Sequence, residues 1–518
     1  MKTFKLLSLL MTAMIASLTF MSCESDDTDF SSIINSSKTA VTDDENTSDD
    51  TSNNTGNDAT DDTTNSDSNS SDANTSSNLS YAVNVVFDGS SASVIVADDV
   101  ASYLTVTKNG AKVNIVQSSS LANEVTYTLS GSSSNGMFYM DGDYKATVVL
   151  NGVTLTNTSG PAINIENGKR IEVVLADGTT NSLTDSSSGD HKGAFMVNGH
   201  TEFSGSGTLN MTGKMKHAFW GDEYVVFKKS LGTINVTSAV GDGFNVNQYI
   251  EMNGGVISIK SVGDEGIQTS IEDGSATYDE GSFYMNGGAL TIVTTDGKGI
   301  KAEGDIEIND GELNITASGS EGMESGGLTT INGGIVTVQS YDDAINSQSH
   351  IILNGGEVYA KSSNNDGIDA NGNVYMQDGL VVAIGSKAPE CGIDANEESN
   401  YTVYITGGNL FAIGGGNSTP SNSSSTQGYI TASGNVSANT SITISSGSGT
   451  LATFTVPFGS NSSATSILAS ASGMTAGSSY TLKVGSSSTS ATAVQYGSGG
   501  NQGGQPNNNQ GGPGGNRP

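Results

Sequence analysis

Between residues 231 and 414 the apolar positions follow one pattern, repeated with small changes. Each unit holds two short stretches in which apolar and polar residues alternate, separated by an Asn-Gly-Gly-like turn. A polar link follows, and then an acidic residue, Gly and Ile. The centres of this last element fall at Gly243, Gly266, Gly299, Gly322, Ala344, Gly367 and Gly392, steps of 23, 33, 23, 22, 23 and 25 residues. Self-similarity at this period signals a solenoid. The long step holds an insertion, IEDGSATYDEGS, that starts at Ile271. An alternation of period two makes strands and not helices, because successive side chains of a strand point to opposite faces.

Aligning the units yields three apolar columns. One is Met252, Met285, Ile308, Ile331, Leu353, Met376 and Ile405; another is Ile257, Leu290, Leu313, Val336, Val358, Val381 and Leu410. The third is Phe244, Ile267, Ile300, Met323, Ile345, Ile368 and Ile393. Three strands per turn with inward residues in register describe an all-β parallel β-helix of roughly 22–23 residues per coil. Each rung sits ~4.8 Å above the last, and each buried Ile or Leu contributes roughly 1.5–3 kcal/mol. The Gly-Gly pairs suit the corners, where the backbone turns with positive φ.

The flanks divide the chain further. Lys2 and Lys5 precede an apolar run at 6–21 and then Ser22-Cys23, the features of a secretory signal over 1–22. The cysteine makes it resemble a bacterial lipoprotein signal, with Cys23 as the lipidated residue. Glu24, Asp26 and Asp27 behind it resemble the export signal of surface lipoproteins in some diderm bacteria. Residues 23–80 are mostly Ser, Asp, Asn and Thr, too polar to bury a core, and read as a flexible tether. Residues 81–140 read as strands (AVNVVF, VASYLTVT, AKVNIVQ, EVTYTLSG) that cap the open end of the helix. The helix itself is expected over 141–415, with 217–220 in register with the later acidic-Gly-Ile elements. A strand-rich block at 416–496 either closes the same solenoid or forms a small separate β-domain. A Gly/Asn/Gln/Pro tail at 497–518 is structureless by composition. If Cys23 carries lipid, Cys391 is left alone and no disulfide within the chain is possible.

Of 518 residues only 6% are aromatic, which a narrow solenoid core tolerates. The formal charge of −34 argues against nucleic acid, whose phosphates need Lys and Arg. It fits a secreted protein or one that binds cations.

Much of that charge is stacked. Just before the column centres lie Asp242, Glu265, Lys298, Glu321, Asp343, Asp366 and Cys391. One position earlier are Asp264, Asp342, Asn365 and Glu390, and two after the centres are Asn245, Gln268, Lys301, Glu324, Asn346, Asp369 and Asp394. Neighbouring rungs then hold carboxylates ~5 Å apart, a repulsion of about 3.3 kcal/mol per pair at an effective dielectric of 20. Either a cation compensates the stack, or it is a solvated acidic face. Asp343, Asp366 and Asp369 with Asn346 and Asn365 form the best cation cluster. Asp394 and Glu390 extend it upward, Glu321, Glu324 and Asp342 belong to the same stack, and Asp242, Asp264 and Glu265 form its lower part. Zinc is not favoured: His191, His200, His217 and His350 are scattered, and two cysteines make no Cys-rich site.

The stretch VVLNGVTLTNTSGPAINIENGKRIEVVLADGTTNSLTD at 148–185, the repeated DGI units and GMTAGSSYTLKV at 473–484 together resemble a family of secreted carbohydrate-binding proteins. The resemblance covers roughly 81–490. It implies a right-handed, calcium-binding β-helix akin to pectate lyases that binds acidic plant-type polysaccharide. Calcium is also the hard cation that wants six to eight such oxygens. It would bridge an acidic protein to uronate carboxylates that the bare charge repels. In an outward column, Tyr284, Tyr375 and Tyr404 either stack on sugar faces or merely cover the sheet; Trp220 is a further candidate.

Enzyme function is not expected. Glycan lyases on this fold need a base, Arg or Lys, near calcium. Arg170 and Arg517 are the only arginines, and Lys298 and Lys301 either neutralise the ladder or act as a base. The expectation is a monomeric surface lipoprotein, anchored by lipid to the bacterial outer membrane, that binds polysaccharide through a calcium-loaded face. A polysaccharide lyase or glycoside hydrolase is the alternative, and an adhesin or structural surface protein a second one.

Overall fold

The three apolar columns meet in register, and that register builds the molecule. The computed structural model describes residues 80–271, 280–420 and 424–494. The signal at 1–22, Cys23 and the tether, the middle of the insertion and the tail lie outside the described residues. Strands Phe244–Val246, Ile267–Thr269, Ile300–Ala302, Met323–Ser325, Ile345–Ser347, Ile368–Ala370 and Ile393–Ala395 pair in parallel, one above the next. They form the first face, part of a 13-stranded sheet. A second ladder aligns Met252, Met285, Ile308, Ile331, Leu353, Met376 and Ile405. A third aligns Ile257, Leu290, Leu313, Val336, Val358, Val381 and Leu410. All these residues are buried in one continuous core. The result is a parallel β-solenoid of about 12 turns with little helix.

Two kinds of glycine permit the coil. Gly255, Gly288, Gly311, Gly334, Gly356, Gly379 and Gly408 occupy the corner after the second face with positive φ, where a side chain would be strained. The glycines of the acidic-Gly-Ile elements serve close approach instead: a Cβ at Gly299 would collide with the Gly322 carbonyl and Ile315.

Beside those corners runs an asparagine ladder. Asn286, Asn309, Asn332 and Asn354 each donate Nδ2 to the Oδ1 one rung earlier, at 3.0, 2.8, 2.7 and 2.7 Å. Asn332 also donates to Glu307. Replacing Asn332 with alanine removes three partly buried hydrogen bonds at once and leaves the amide of Asn354 without its acceptor. A loss of about 1–3 kcal/mol is expected, read as a lower urea midpoint; an unchanged midpoint would make the ladder ornamental.

The ends differ from expectation in detail. The region expected as strands contains a short helix, Asp98–Ala101. Parallel pairing starts earlier than residue 141, because Val125–Ser133 aligns Val125, Tyr127 and Leu129 with Ala146, Val148 and Leu150. At the other end the C-terminal block does both things left open. Ser466–Ser470 pairs antiparallel with Asn409–Gly414 and with Tyr429–Ser433, which ends the parallel ladder. An antiparallel sheet of Gly449–Val456, Thr440–Ser446, Ser479–Val484 and Ser487–Thr492 then packs against the solenoid's side. It covers Val382, Ile384, Phe411 and Ile413 with Ile442, Ile444 and Leu482. This explains why Leu380–Ile384 and Asn409–Gly414 are nearly continuous apolar runs: they are buried on both sides.

Candidate functional site

The acidic stack lies along the edge where the chain enters the first face. Buried residues such as Phe244, Ile345 and Ile368 point inward and hold their neighbours on that edge in register. Two groups of three carboxylates result, each with ligand atoms within 4.8 Å of one another: Asp242 with Asp264 and Glu265, and Asp343 with Asp366 and Asp369.

In the upper group, Asp343 and Asp366 are buried and Asp369 is half-buried. Asp343 accepts the Asp366 backbone N–H at 2.9 Å, and Asp366 accepts that of Cys391. Asn346 donates its Nδ2 to Asp343 at 3.2 Å and to Asp369 at 2.9 Å. These bonds do not satisfy the group. Burial, reinforced by the like charges of Asp369 and Asp342, pushes the Asp343 carboxyl up to about 7. Burial and the charges of Asp343, Asp394 and Asp369 push Asp366 up to about 8. Burial and the charge of Asp394 take Asp369 to about 6.

One atom is orphaned here. Asn346 is 9% exposed, and its Oδ1 is buried without a hydrogen-bond partner. A half-turn of the amide would aim that oxygen at Asp343 and Asp369, where it would serve a cation shared with the ionised carboxylates, or the proton of a neutral carboxyl. The donors are all hard oxygens, so the group fits calcium and does not favour a soft metal.

The lower group is similar but more open. Asp242 and Glu265 are buried, while Asp264 is exposed. Asp242 accepts from the Glu265 backbone N–H at 3.1 Å and from Asn245 at 2.7 Å. Burial, then Asp264 and Asp242, push Glu265 up to about 7.

One rung carrying two lysines divides the groups. Lys298 pairs with Glu321 at 2.9 Å and with Glu324, and Lys301 stands 3.9 Å from Glu265. Burial opposes the ionisation of Glu321, but hydrogen bonds from Ser320 and Lys298 outweigh it and hold its carboxyl low. Glu321 and Glu324 are therefore engaged by a lysine rather than gathered into either group. Asp342 accepts from Asn365 at 2.7 Å, and Asp394 from Ser418. With Glu390, these residues flank the upper group and are not among its three members.

The aromatic candidates lie apart. Tyr375 and Tyr404 occupy one outward column of the second face and stack on each other, centroids 5.1 Å apart and 9° from parallel. Tyr375 is only 9% exposed and its hydroxyl accepts from Asn373. Tyr284 is half-buried in the same column, edge-on to Tyr249. Tyr249 stacks in turn on Tyr224, and Tyr224 lies tilted against His200. This second ladder escaped the sequence reading, although its members share the position just before strands Thr201–Ser204, Val225–Phe227 and Ile250–Met252. Rings stacked along the axis present edges, not faces, to solvent. Trp220 sits on the first face, turned outward because Phe219 packs inward on Phe195 and Phe244. It is 5% exposed, with Lys192 Nζ 3.6 Å from its ring centroid.

Arg170 is remote from both acidic groups in the fold: it precedes a second-face strand and is held by Glu124, Glu172 and Glu202.

A family model described as "Carbohydrate-binding domain-containing protein" matches residues 109–367, half of the chain. Among solved structures, the polysaccharide lyase-like protein from C. thermocellum, in a gadolinium derivative, is similar at 21% identity. The match covers 58% of this chain and 99% of that one, with a TM-score of 0.37. No curated protein sequence matches.

Proposed function

Since the chain belongs to the carbohydrate-binding domain-containing family, we propose that it binds polysaccharide along the acidic edge of its solenoid, with calcium as the bridge to an acidic, pectin-like glycan. The observation that carries this reading is the upper group: three crowded carboxylates beside an orphaned amide oxygen. Calcium, when bound, offers coordination positions that uronate oxygens can take from water. The chain's own residues contribute the cage. Asp343, Asp366 and Asp369 supply charge, Asn346 supplies a neutral oxygen, and the rigid rungs keep all of them in place. Asp242, Asp264 and Glu265 form a second cage on the same edge. Tyr284, Tyr375 and Tyr404 are proposed as sugar contacts through their edges and hydroxyls. We further propose that Cys23 carries lipid and anchors a monomer on the outer membrane surface, with residues 23–80 as the tether.

Binding without cleavage is the favoured reading, because the two lysines on the rung between the acidic groups, Lys298 and Lys301, are committed to Glu321, Glu324 and Glu265. The test is affinity electrophoresis of the full chain through polygalacturonate and through a neutral glucan, with products assayed in parallel. Retardation by polygalacturonate that chelator abolishes, with no unsaturated or new reducing ends, is expected. Product formation would replace binding with lyase or hydrolase action. Equal retardation by the neutral glucan would remove the acidic preference.

A further inference from the structure

The acidic edge ends in a patch of opposite sign. Lys192 and Lys216 occupy adjacent rungs just before strands Gly193–Val197 and His217–Gly221, joined by the His217 N–H donating to the Lys192 carbonyl at 3.0 Å. Lys214 stands two residues away, and all three side chains are exposed. Among the described residues none of the three pairs with a carboxylate, although the chain has 54 acidic and only 20 basic residues.. A buried acid beside them, Asp185, is already engaged by the Lys214 and Met215 backbone N–H groups and by His191 at 2.9 Å. Asp190, exposed in the same loop, pairs with none of them. Trp220 lies on the strand that Lys216 precedes, and Lys192 covers its ring.

Like charges stacked one rung apart repel, and among the described residues no ion pair neutralises them; only the ammonium of Lys192 is engaged, on the indole ring. The next rung carries Asp242, so the patch abuts the lower acidic group directly. We propose that Lys192, Lys214 and Lys216, with Trp220 beneath Lys192, form a metal-independent subsite for the anionic group of an acidic sugar, a carboxylate or a sulfate ester. It rests on the reading of the acidic edge as a glycan-binding face. The lysines would take one anionic group of a chain whose neighbouring carboxylates reach the cation cages. Lys192 serves as the hinge of the contact, because the anion draws its ammonium away from the indole ring, where the pairing is a cation–π one.

Trp220 is the chain's single tryptophan, so its emission reports this patch alone. The full chain, in chelator and low salt, is titrated with polygalacturonate, dextran sulfate, neutral dextran and a short DNA duplex. A saturable emission change with polygalacturonate or dextran sulfate, and none with dextran, is expected; which of the two acts more strongly distinguishes carboxylate from sulfate. The doubly substituted Lys192→Gln, Lys216→Gln chain should bind about five- to tenfold more weakly in chelator, the size of two exposed ion pairs. Unchanged affinity in that variant, or no emission change with either acidic glycan, would overturn the subsite. An equal response to DNA would reduce it to unspecific polyanion attraction. Calcium-dependent retention of polygalacturonate by the same variant reports on the acidic edge separately: its persistence beside a lost chelator-phase signal upholds both readings. Its absence in the unsubstituted chain, with the chelator-phase signal intact, removes the calcium bridge alone.

Discussion

Replacing Asp343 and Asp366 together with asparagine is expected to abolish calcium uptake by the upper group and, in the same protein, to raise its stability in chelator at pH 8. The two effects share one cause. Stacked carboxylates a rung apart, ~4.8 Å, repel by about 3.5 kcal/mol at an effective dielectric of 20, and both are buried. Asparagine keeps the shape and an oxygen but removes the charge that a hard dication requires. Calcium affinity at this group should fall by roughly 100-fold or more, judged against the 10–100-fold typical of losing only a supporting partner. The thermal midpoint in chelator should rise by a few degrees. A variant that loses stability in chelator would show that these carboxylates are structural acceptors first. One that still takes up the same number of ions would place the cation elsewhere.

The second large effect is a pH dependence opposite to that of most acidic proteins. Asp343, Asp366, Asp369 and Glu265 are pushed up to about 7, 8, 6 and 7 by burial and by one another. Unfolded, they would titrate near 4. Between pH 4 and 8 the folded chain therefore holds more protons than the unfolded one, and its stability falls as pH rises. The slope is about 1.4 kcal/mol per pH unit for each excess proton. The stabilisation is full below pH 4 for these groups and gone above pH 8. Calcium should reverse the loss at the alkaline end, with protons released as it binds. Urea midpoints measured from pH 5 to 8.5, in chelator and in calcium, check this. A midpoint in chelator that climbs steadily with pH would mean that these carboxylates ionise without penalty.

Much of this was legible in the residues. Columns such as Phe244, Ile267 and Ile300 needed no tertiary knowledge, because a repeated period-two pattern admits one register. The acidic stack followed from the same alignment, and the structure gathers Asp343, Asp366 and Asp369 as the spacing implied. Other features depend on contacts that a single unit cannot show. Glu321 and Glu324 look like ligands until Lys298 is seen between them. Trp220 looks like an open platform until Lys192 is placed over it. The side-packed C-terminal sheet was hinted at only by the lost alternation at Val382, Ile384, Phe411 and Ile413. The asparagine ladder was visible as Asn-Gly turns, but its hydrogen bonds require the rungs to be stacked first.

The most direct test of the central claim is a calorimetric titration of polygalacturonate into the full chain, once in calcium and once in chelator at physiological salt. Calcium-mediated binding predicts a saturating isotherm in the first and a loss of most of it in the second. Identical isotherms in both, or no heat in either, would contradict the proposal that calcium held by the acidic edge joins this solenoid to an acidic glycan.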